Sequence, residues 1–171
     1  MIKGCANGVL TNNYFAASGA AVALTCQSLA SVSGNTFFGP IIGITPFTYP
    51  NNRYFHWQPK TTEVYVRHNM YEPGRGHVVV YNWEHTKTVS VDLSDVGLKP
   101  GDRFEIRDAQ NYHAAPVVTD TYWPFRRVTI PMTGLTVAAP AGAVAVPPRH
   151  TAPEFGAFVV RKTDDADKSP K

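Results

Sequence analysis

The pattern of hydrophobic and polar positions divides the chain into two parts with different periodicities. From about residue 61, apolar and polar residues alternate in short runs such as "TTEVYVRHN", "TVSVDLS" and "RFEIRDA", with turn signals such as "EPGRG" and "LKPGD" between them. A period of two residues is typical of half-buried β-strands. Short alternating strands at this spacing predict an antiparallel β-sandwich, with Val89, Val91 and Leu93 facing inward and Ser90 facing outward.

The first 55 residues carry an internal repeat instead. The stretch "LTNNYF" at 10–15 recurs as "VSGNTFF" 22 residues later and as "YPNNRYF" after a further 17. Repeats of this length indicate a solenoid, and the apolar runs between them are too short and too rich in Gly and Pro for helices. We therefore predict parallel strands of a β-helix, in which Asn13, Asn35 and Asn52 form a ladder and the aromatic residue two places later stacks in the interior. The alternative is a coincidence of turn asparagines in an ordinary all-β fold.

Composition narrows the class of protein. Of the 171 residues, 43% are hydrophobic and 17% are charged, which favours a real core over general disorder. The net charge of +3 comes without a basic run, which argues against nucleic-acid binding. No stretch of 18 apolar residues exists to span a membrane, and the N-terminal residues lack the apolar core of a signal peptide.

Cysteine and histidine spacing gives little indication of redox or metal chemistry. Cys5 and Cys26 are 21 residues apart, nearly one repeat, so we expect them to stack in neighbouring turns. This spacing leaves open both a disulfide and a buried pair of free thiols. The six histidines show no tight metal-ligand spacing, and no glycine-rich phosphate loop is present. We therefore expect neither a metal site nor a cofactor.

Two acidic residues are candidates for catalysis, because glycosidases act through a pair of carboxyl groups. Asp108 in "RDAQN" ends a predicted strand among polar residues, where capping of the turn is the simpler role. Glu72 in "YEPGR" lies close to arginines, where an ion pair that holds a turn is the simpler role. The outward-facing Asp92 and Glu105 are expected to be solvated strand residues.

Aromatic residues are the candidates for ligand binding, because exposed planar rings can stack on the faces of sugars. The candidates for carbohydrate binding are Trp123, Tyr122, Trp57 and Tyr112. Trp123 precedes Pro124 in a predicted turn and is expected to be exposed. Nucleophilic catalysis is not indicated, since the chain has no GxSxG motif and neither cysteine has a histidine neighbour in sequence.

The segments "YEPGR", "VYNW", "GLKPGD" and "RDAQN" resemble the C-terminal region of bacterial right-handed parallel β-helix repeat proteins, in the pectate-lyase-like superfamily. The resemblance implies an all-β fold with terminal β-helix coils at 1–58, an antiparallel β-sandwich at 59–162 and a disordered tail at 163–171. It also implies an extracellular or periplasmic location. Enzymes of this superfamily usually carry their catalytic carboxylates on central coils, which this chain does not contain, so no catalytic residue is carried over.

Two classes of function follow from this resemblance. We expect a carbohydrate-associated accessory or structural module, the C-terminal part of a polysaccharide-binding or polysaccharide-processing β-helix protein. The alternative is a glycoside hydrolase or polysaccharide lyase with acid and base carboxylates in the cleft between β-helix and sandwich. A β-helix that begins at Met1 exposes unpaired backbone groups and an apolar cross-section. We therefore expect self-association, or an upstream chain, to cover that end.

Overall fold

The computed structural model describes residues 2–16, 20–57, 59–142 and 148–163. The regular structure of these residues is all β, apart from two short 3-10 helices at Ser94–Val96 and Ala109–Asn111. Within the described ranges, no helix is long and apolar enough to cross a membrane. The chain divides into two compact units, residues 1–59 and 60–171. The predicted disordered tail lies outside the described residues from position 164 onwards.

The first unit consists of short strands that pair in parallel in three separate sheets. The strands are β1 (Ile2–Lys3), β2 (Gly8–Thr11), β3 (Tyr14–Ala16), β4 (Val22–Thr25), β5 (Leu29–Ser33), β6 (Thr36–Phe38), β7 (Ile41–Ile42) and β8 (Arg53–Phe55). The sheet orders are β1-β4-β7, β2-β5 and β3-β6-β8. In the last of these, Phe15 pairs with Phe37 and Phe37 with Tyr54, which is the register of the sequence repeat.

An asparagine ladder fixes the turn that precedes each strand of the sheet β3-β6-β8. The backbone N–H of Asn13 donates to Oδ1 of Asn35 at 2.9 Å, and the backbone N–H of Asn35 donates to Oδ1 of Asn52 at 2.9 Å. Gly34 enters this turn with φ +67°, a conformation that favours glycine, and a Cβ there would displace the side chain of Asn12. The predicted ladder is therefore confirmed.

Stacked aromatic rings form the centre of the first unit's core. The ring of Phe37 is fully buried between Phe15, at 5.3 Å and 6° between ring planes, and Tyr54, at 5.4 Å and 23°. Buried aliphatic side chains from β4, from β5 and from the segment after β7 belong to the same core: Val22, Leu24, Val32 and Ile44. The predicted interior stack is therefore confirmed.

A disulfide joins Cys5 and Cys26, whose Cα atoms are 4.4 Å apart. Cys5 follows β1 and Cys26 follows β4, so the bond links two turns whose strands are neighbours in one sheet. The backbone N–H of Gln27 also donates to the carbonyl of Cys5, at 2.7 Å. The spacing left open both a disulfide and a pair of free thiols, and the structure contains the disulfide.

The second unit contains two antiparallel sheets around one core. Its strands are β9 (Glu63–His68), β10 (Arg75–Tyr81), β11 (Thr88–Val91), β12 (Arg103–Asp108), β13 (Val118–Thr121), β14 (Val128–Pro131) and β15 (Phe155–Lys162). The five-stranded sheet has the order β13-β12-β15-β10-β9, and β11 pairs with β14. Every second residue of these strands points into the shared core, as the alternation predicts. That core includes Val78, Val80, Val89, Val91, Leu93, Phe104, Ile106, Ile130, Met132, Phe158 and Val160.

Candidate functional site

Asp108 forms a buried pair with His150, which is 42 residues away in the sequence. Oδ2 of Asp108 lies 2.7 Å from Nε2 of His150, and the two side chains are only 5% and 8% exposed. Nδ1 of His150 accepts a hydrogen bond from the backbone N–H of Ala152 at 2.8 Å. In the neutral imidazole the proton is therefore on Nε2, which donates to Asp108. Both ring nitrogens are occupied, so this pair resembles the Asp–His part of a catalytic triad without a free nitrogen for a substrate.

The remaining contacts of Asp108 hold a turn. Its Oδ1 accepts from the backbone N–H of Gln110 at 3.0 Å, which caps the 3-10 helix that follows β12. Oε1 of Gln110 in turn accepts from the backbone N–H and the hydroxyl of Thr151, at 3.1 and 2.6 Å. These contacts fasten residues 148–154 to the end of β12. These hydrogen bonds favour turn capping, which the sequence analysis gave as the simpler role of Asp108.

Glu72 also lies in a hydrogen-bonded turn. Its carboxylate is exposed and pairs with Nη1 of Arg75 at 2.9 Å. The backbone N–H groups of Tyr71 and Glu72 both donate to Oδ1 of Asn69, at 2.8 and 3.1 Å. An exposed ion pair across a tight turn is what the sequence suggested as the simpler role.

Asp108 and Glu72 lie at opposite ends of the five-stranded sheet. Asp108 is the last residue of β12 and lies at the end of the sheet where β15 begins. Glu72 lies in the turn between β9 and β10, at the end of the sheet where β15 ends. The six residues of β12 span roughly 17 Å at about 3.3 Å per residue. Paired glycosidase carboxyl groups lie about 5 to 9.5 Å apart. These two residues therefore do not form a catalytic pair.

Glu105 is buried, contrary to the expectation that it is a solvated strand residue. Its Oε1 accepts from Nε of Arg107 at 2.5 Å and from Nε of Arg161, and its Oε2 accepts from Nη2 of Arg107 at 3.0 Å. The pairing of β12 with β15 places Arg161 directly opposite Glu105, a neighbour that the local sequence does not reveal. The hydrogen bonds from Arg107 and then those from Arg161 lower the pKa of Glu105.

Other described carboxyl groups share this direction of shift. Backbone N–H donors lower the pKa of Glu84, through Thr62, and of Asp92, through Ser94. Lys162 lowers the pKa of Asp102. Every described carboxyl group with a resolved shift is thus stabilised in its ionised form, whereas a glycosidase needs one carboxyl group with a raised pKa as its acid. Among the described residues, no group of three His, Cys, Asp or Glu side chains could hold a metal ion.

The four aromatic candidates differ in exposure and lie in different parts of the structure. Tyr122 is 8% exposed and belongs to the core of the second unit, because the alternation along β13 continues into it and turns its ring inward. Its ring is therefore not available to a sugar. Tyr112 lies at the other end of the sheet, where the guanidinium group of Arg107 is 5.8 Å from its ring centre. Trp57 is 86% exposed in the first unit.

An exposed aromatic surface lies at the end of the second unit where β9 and β13 end and β10 and β12 begin. We call this surface the aromatic rim and define it by Tyr71, Trp123 and Phe125. Tyr71 and Phe125 are almost fully exposed, and Trp123 is 51% exposed. Their two loops, 69–74 and 122–127, are separated by three strand spacings, or roughly 14 Å. Of these three residues, only Trp123 is among the four candidates predicted from the sequence, and the strand order shows that Tyr71 lies at the same end.

Two arginines anchor the loop that carries Trp123 and Phe125. Nη2 of Arg126 bonds to Oδ2 of Asp120 at 2.9 Å, and Arg127 donates to the hydroxyl and the carbonyl of Ser90, each at 2.9 Å. Immediately before these arginines, Phe125 has φ +65°, which is a strained conformation for a bulky residue. The backbone of the loop is therefore strained at Phe125, and the exposed ring of Phe125 gains no packing that would offset this strain.

Comparisons of this chain with protein-family models, with curated proteins and with solved structures found no match. No residue role is therefore transferred from another protein.

Proposed function

We propose that the chain is a carbohydrate-associated accessory module that binds a polysaccharide at the aromatic rim. The observation that carries this proposal is the exposure of Tyr71, Trp123 and Phe125 at one end of the second unit. Large exposed apolar groups at one end of a folded unit are candidates for contacts with a ligand or partner. The flat apolar faces of these rings can stack on the C–H face of a sugar, and a separation of roughly 14 Å suits several sugar units in a row.

We also propose a finer description of the fold, in which the first unit forms the last coils of a right-handed parallel β-helix and the second unit is a β-sandwich. The parallel pairing in three sheets at the interval of the sequence repeat supports the β-helix. The common core of the two antiparallel sheets supports the sandwich. The disulfide between Cys5 and Cys26 supports an oxidising location, outside the cell or in the periplasm.

A binding role has more support than a hydrolase or lyase role. The two candidate carboxylates hold turns at opposite ends of a sheet, and the resolved carboxyl pKa shifts are all downward. Stacking on exposed rings requires neither a raised pKa nor a paired carboxylate. The proposed module therefore binds its glycan without cleaving it.

Affinity electrophoresis of the full chain in gels that contain individual polysaccharides tests the proposal, with a glycan array to identify the sugar. We expect at least one polysaccharide to retard the protein. Tyr71→Ala and Trp123→Ala should each weaken that binding by about tenfold, which corresponds to about 1.4 kcal/mol. His113→Ala, which removes an exposed ring at the other end of the sheet, is the matched control and should bind like the wild type.

A reducing-sugar assay on the bound polysaccharide separates binding from catalysis. We expect no release of reducing ends by the wild-type chain. Release that is lost in Asp108→Asn or Glu72→Gln would overturn the non-catalytic assignment. Absence of binding to every polysaccharide, or equal binding by the rim variants, would overturn the assignment of the aromatic rim.

A further inference from the structure

β9 is an edge strand of the five-stranded sheet in the second unit. It pairs with β10 on one side, and among the described residues no strand pairs with it on the other. The backbone N–H of Asn69, just after β9, donates to the carbonyl of Arg75 in β10 at 2.8 Å, so Asn69 faces β10. Because backbone groups alternate in direction along a strand, Val64 and Val66 direct their N–H and C=O groups away from β10, out of the sheet edge.

Side chains cap the neighbouring parts of this side of the unit but not the middle of β9. Arg127 donates to the carbonyl of Ser90 in β11 at 2.9 Å, and the carboxylate of Glu84 accepts from the N–H of Thr62, just before β9, at 2.9 Å. Caps of this kind protect an edge from pairing with another strand. In the described part of the chain, no side chain caps the backbone groups of residues 64–66, so these groups are open to a further strand.

A groove lies beside this open edge, between β9 and β11. It consists of two cavities of about 360 and 380 Å³ that share Val64 and Arg127 in their linings, and every lining residue belongs to the second unit. Val64 and Val66 pack against the core from positions that face it, yet both are only half-buried because the groove opens onto them. A strand added to β9 would cover these two side chains as well as pair the edge.

The charges on β9 are complementary to those of a second β9. Glu63 and Arg67 lie on the face opposite to the two valines, two residues to either side of Tyr65. A second β9 that pairs antiparallel about Tyr65 places Glu63 of each copy opposite Arg67 of the other, and opposed unlike charges stabilise a strand pair. The same register places Val64 opposite Val66, so their outward backbone groups exchange hydrogen bonds. A shift by two residues would lose both charge contacts.

We propose that β9 is a dimer interface, at which the β9 edges of two copies of this chain pair antiparallel about a two-fold axis at Tyr65. The five-stranded sheets of the two copies then form one continuous sheet, and the half-buried valines of each copy are covered by those of the other. Both copies use the same surface, so the contact closes at two copies. The interface uses none of the residues of the aromatic rim and does not depend on glycan binding.

Sedimentation velocity of the full chain over a hundredfold range of concentration tests this proposal. We expect the weight-average mass to rise with concentration and to level off at two chains. Glu63→Arg and Arg67→Glu each place like charges opposite one another on both sides of the two-fold axis, so each should weaken dimerisation by more than about tenfold. Lys99→Glu makes the same change in charge as Arg67→Glu at an exposed position before β12, and this control should dimerise like the wild type.

Mixing the two charge variants tests the register. In a mixed dimer of Glu63→Arg with Arg67→Glu, unlike charges again oppose one another on both sides, so the mixture should regain the wild-type affinity that neither variant has alone. Val66→Pro removes an outward N–H and should also give a monomer, with circular dichroism to verify its fold. A wild type that stays monomeric, as it would if another segment covered this edge, would overturn the proposal. So would single charge variants that dimerise normally, or a mixture no heavier than its components.

Discussion

Asn35 and Asn52 are joined by two hydrogen bonds to a single acceptor. The backbone N–H and the side-chain Nδ2 of Asn35 both donate to Oδ1 of Asn52, at 2.9 and 2.8 Å. Nδ2 of Asn35 also donates to the carbonyl of Leu10 at 2.7 Å, and the side chain is almost fully buried. The side-chain amide of Asn35 thus bonds to backbone groups of two repeats and to the asparagine side chain of the third.

Asn35→Ala should therefore destabilise the first unit by about 3 kcal/mol, because it removes several hydrogen bonds and leaves buried polar groups unpaired. The measurement is the free energy of unfolding in urea, followed by a probe in the first unit. Asn51→Ala is the control, since Asn51 is exposed and contributes its backbone carbonyl to the bond with Gly34. Equal effects of the two substitutions would contradict the assigned role of the ladder.

Glu105→Gln should destabilise the second unit by about 3 kcal/mol at neutral pH, because it leaves two guanidinium groups without their buried counter-charge. Glu72→Gln, which removes an exposed ion pair, should cost under about 1 kcal/mol. Urea denaturation of both variants at pH 7 provides the comparison.

The same carboxylate predicts a pH dependence. The folded-state pKa of Glu105 lies below the ordinary value of 4.5, so its contribution is complete above that pH and is lost as the pH falls through the lowered pKa. The wild type should therefore lose more stability than Glu105→Gln does between about pH 5, just above the ordinary value, and about pH 3, well below it. Parallel curves for the two proteins would rule out this linkage.

His150→Ala should release residues 148–154 from the end of β12. The substitution removes the acceptor of the Ala152 N–H and the partner of Asp108, so the amide of Ala152 should exchange with solvent about tenfold faster. Hydrogen exchange read by NMR measures this rate. His113→Ala is the control because its ring is exposed, and unchanged exchange in His150→Ala would show that other contacts hold this segment.

Reduction of the disulfide should destabilise the first unit alone. Cys5 and Cys26 close a loop of 21 residues, and a loop of that size corresponds to about 3 kcal/mol of stability. Urea denaturation with and without reductant, with peptide mapping to verify the bond, measures the effect. The second unit contains no cysteine and is the internal control. An equal shift in both units would contradict the prediction.

Phe125→Gly should raise the stability of the second unit by about 1 kcal/mol, because glycine adopts φ +65° without strain. The same variant should bind polysaccharide more weakly, since it lacks the ring. Phe125→Ala removes the ring and keeps the strain, so it should lose binding without the gain in stability. A stability gain with full binding would remove Phe125 from the aromatic rim.

The sequence predicted those features that depend on local periodicity. Alternation identified most strands of the second unit, and the Asn-x-aromatic repeat identified the register of Phe15, Phe37 and Tyr54. The strand β13 was missed because "VTDT" carries a weak apolar signal. That the parallel strands of the first unit form coils of a β-helix stays a proposal.

The polar contacts of the second unit depend on strand order, which the local pattern does not contain. The local sequence predicts a solvated Glu105, whereas the pairing of β12 with β15 places Arg161 opposite it. Asp108 and His150 meet across 42 residues, and Tyr71 and Trp123 reach one end of the sheet through separate loops. A "D…H" pair at this separation carries no sequence signal by itself, because either residue could cap a turn alone.

The asparagine ladder has an electrical consequence. Each side-chain amide of the ladder turns its oxygen toward the lower-numbered repeat, so the amide dipoles of Asn35 and Asn52 point the same way and add. The Asn13 end of the ladder is therefore partially negative and the Asn52 end partially positive. The ladder thus gives the first unit a direction along its stacked repeats.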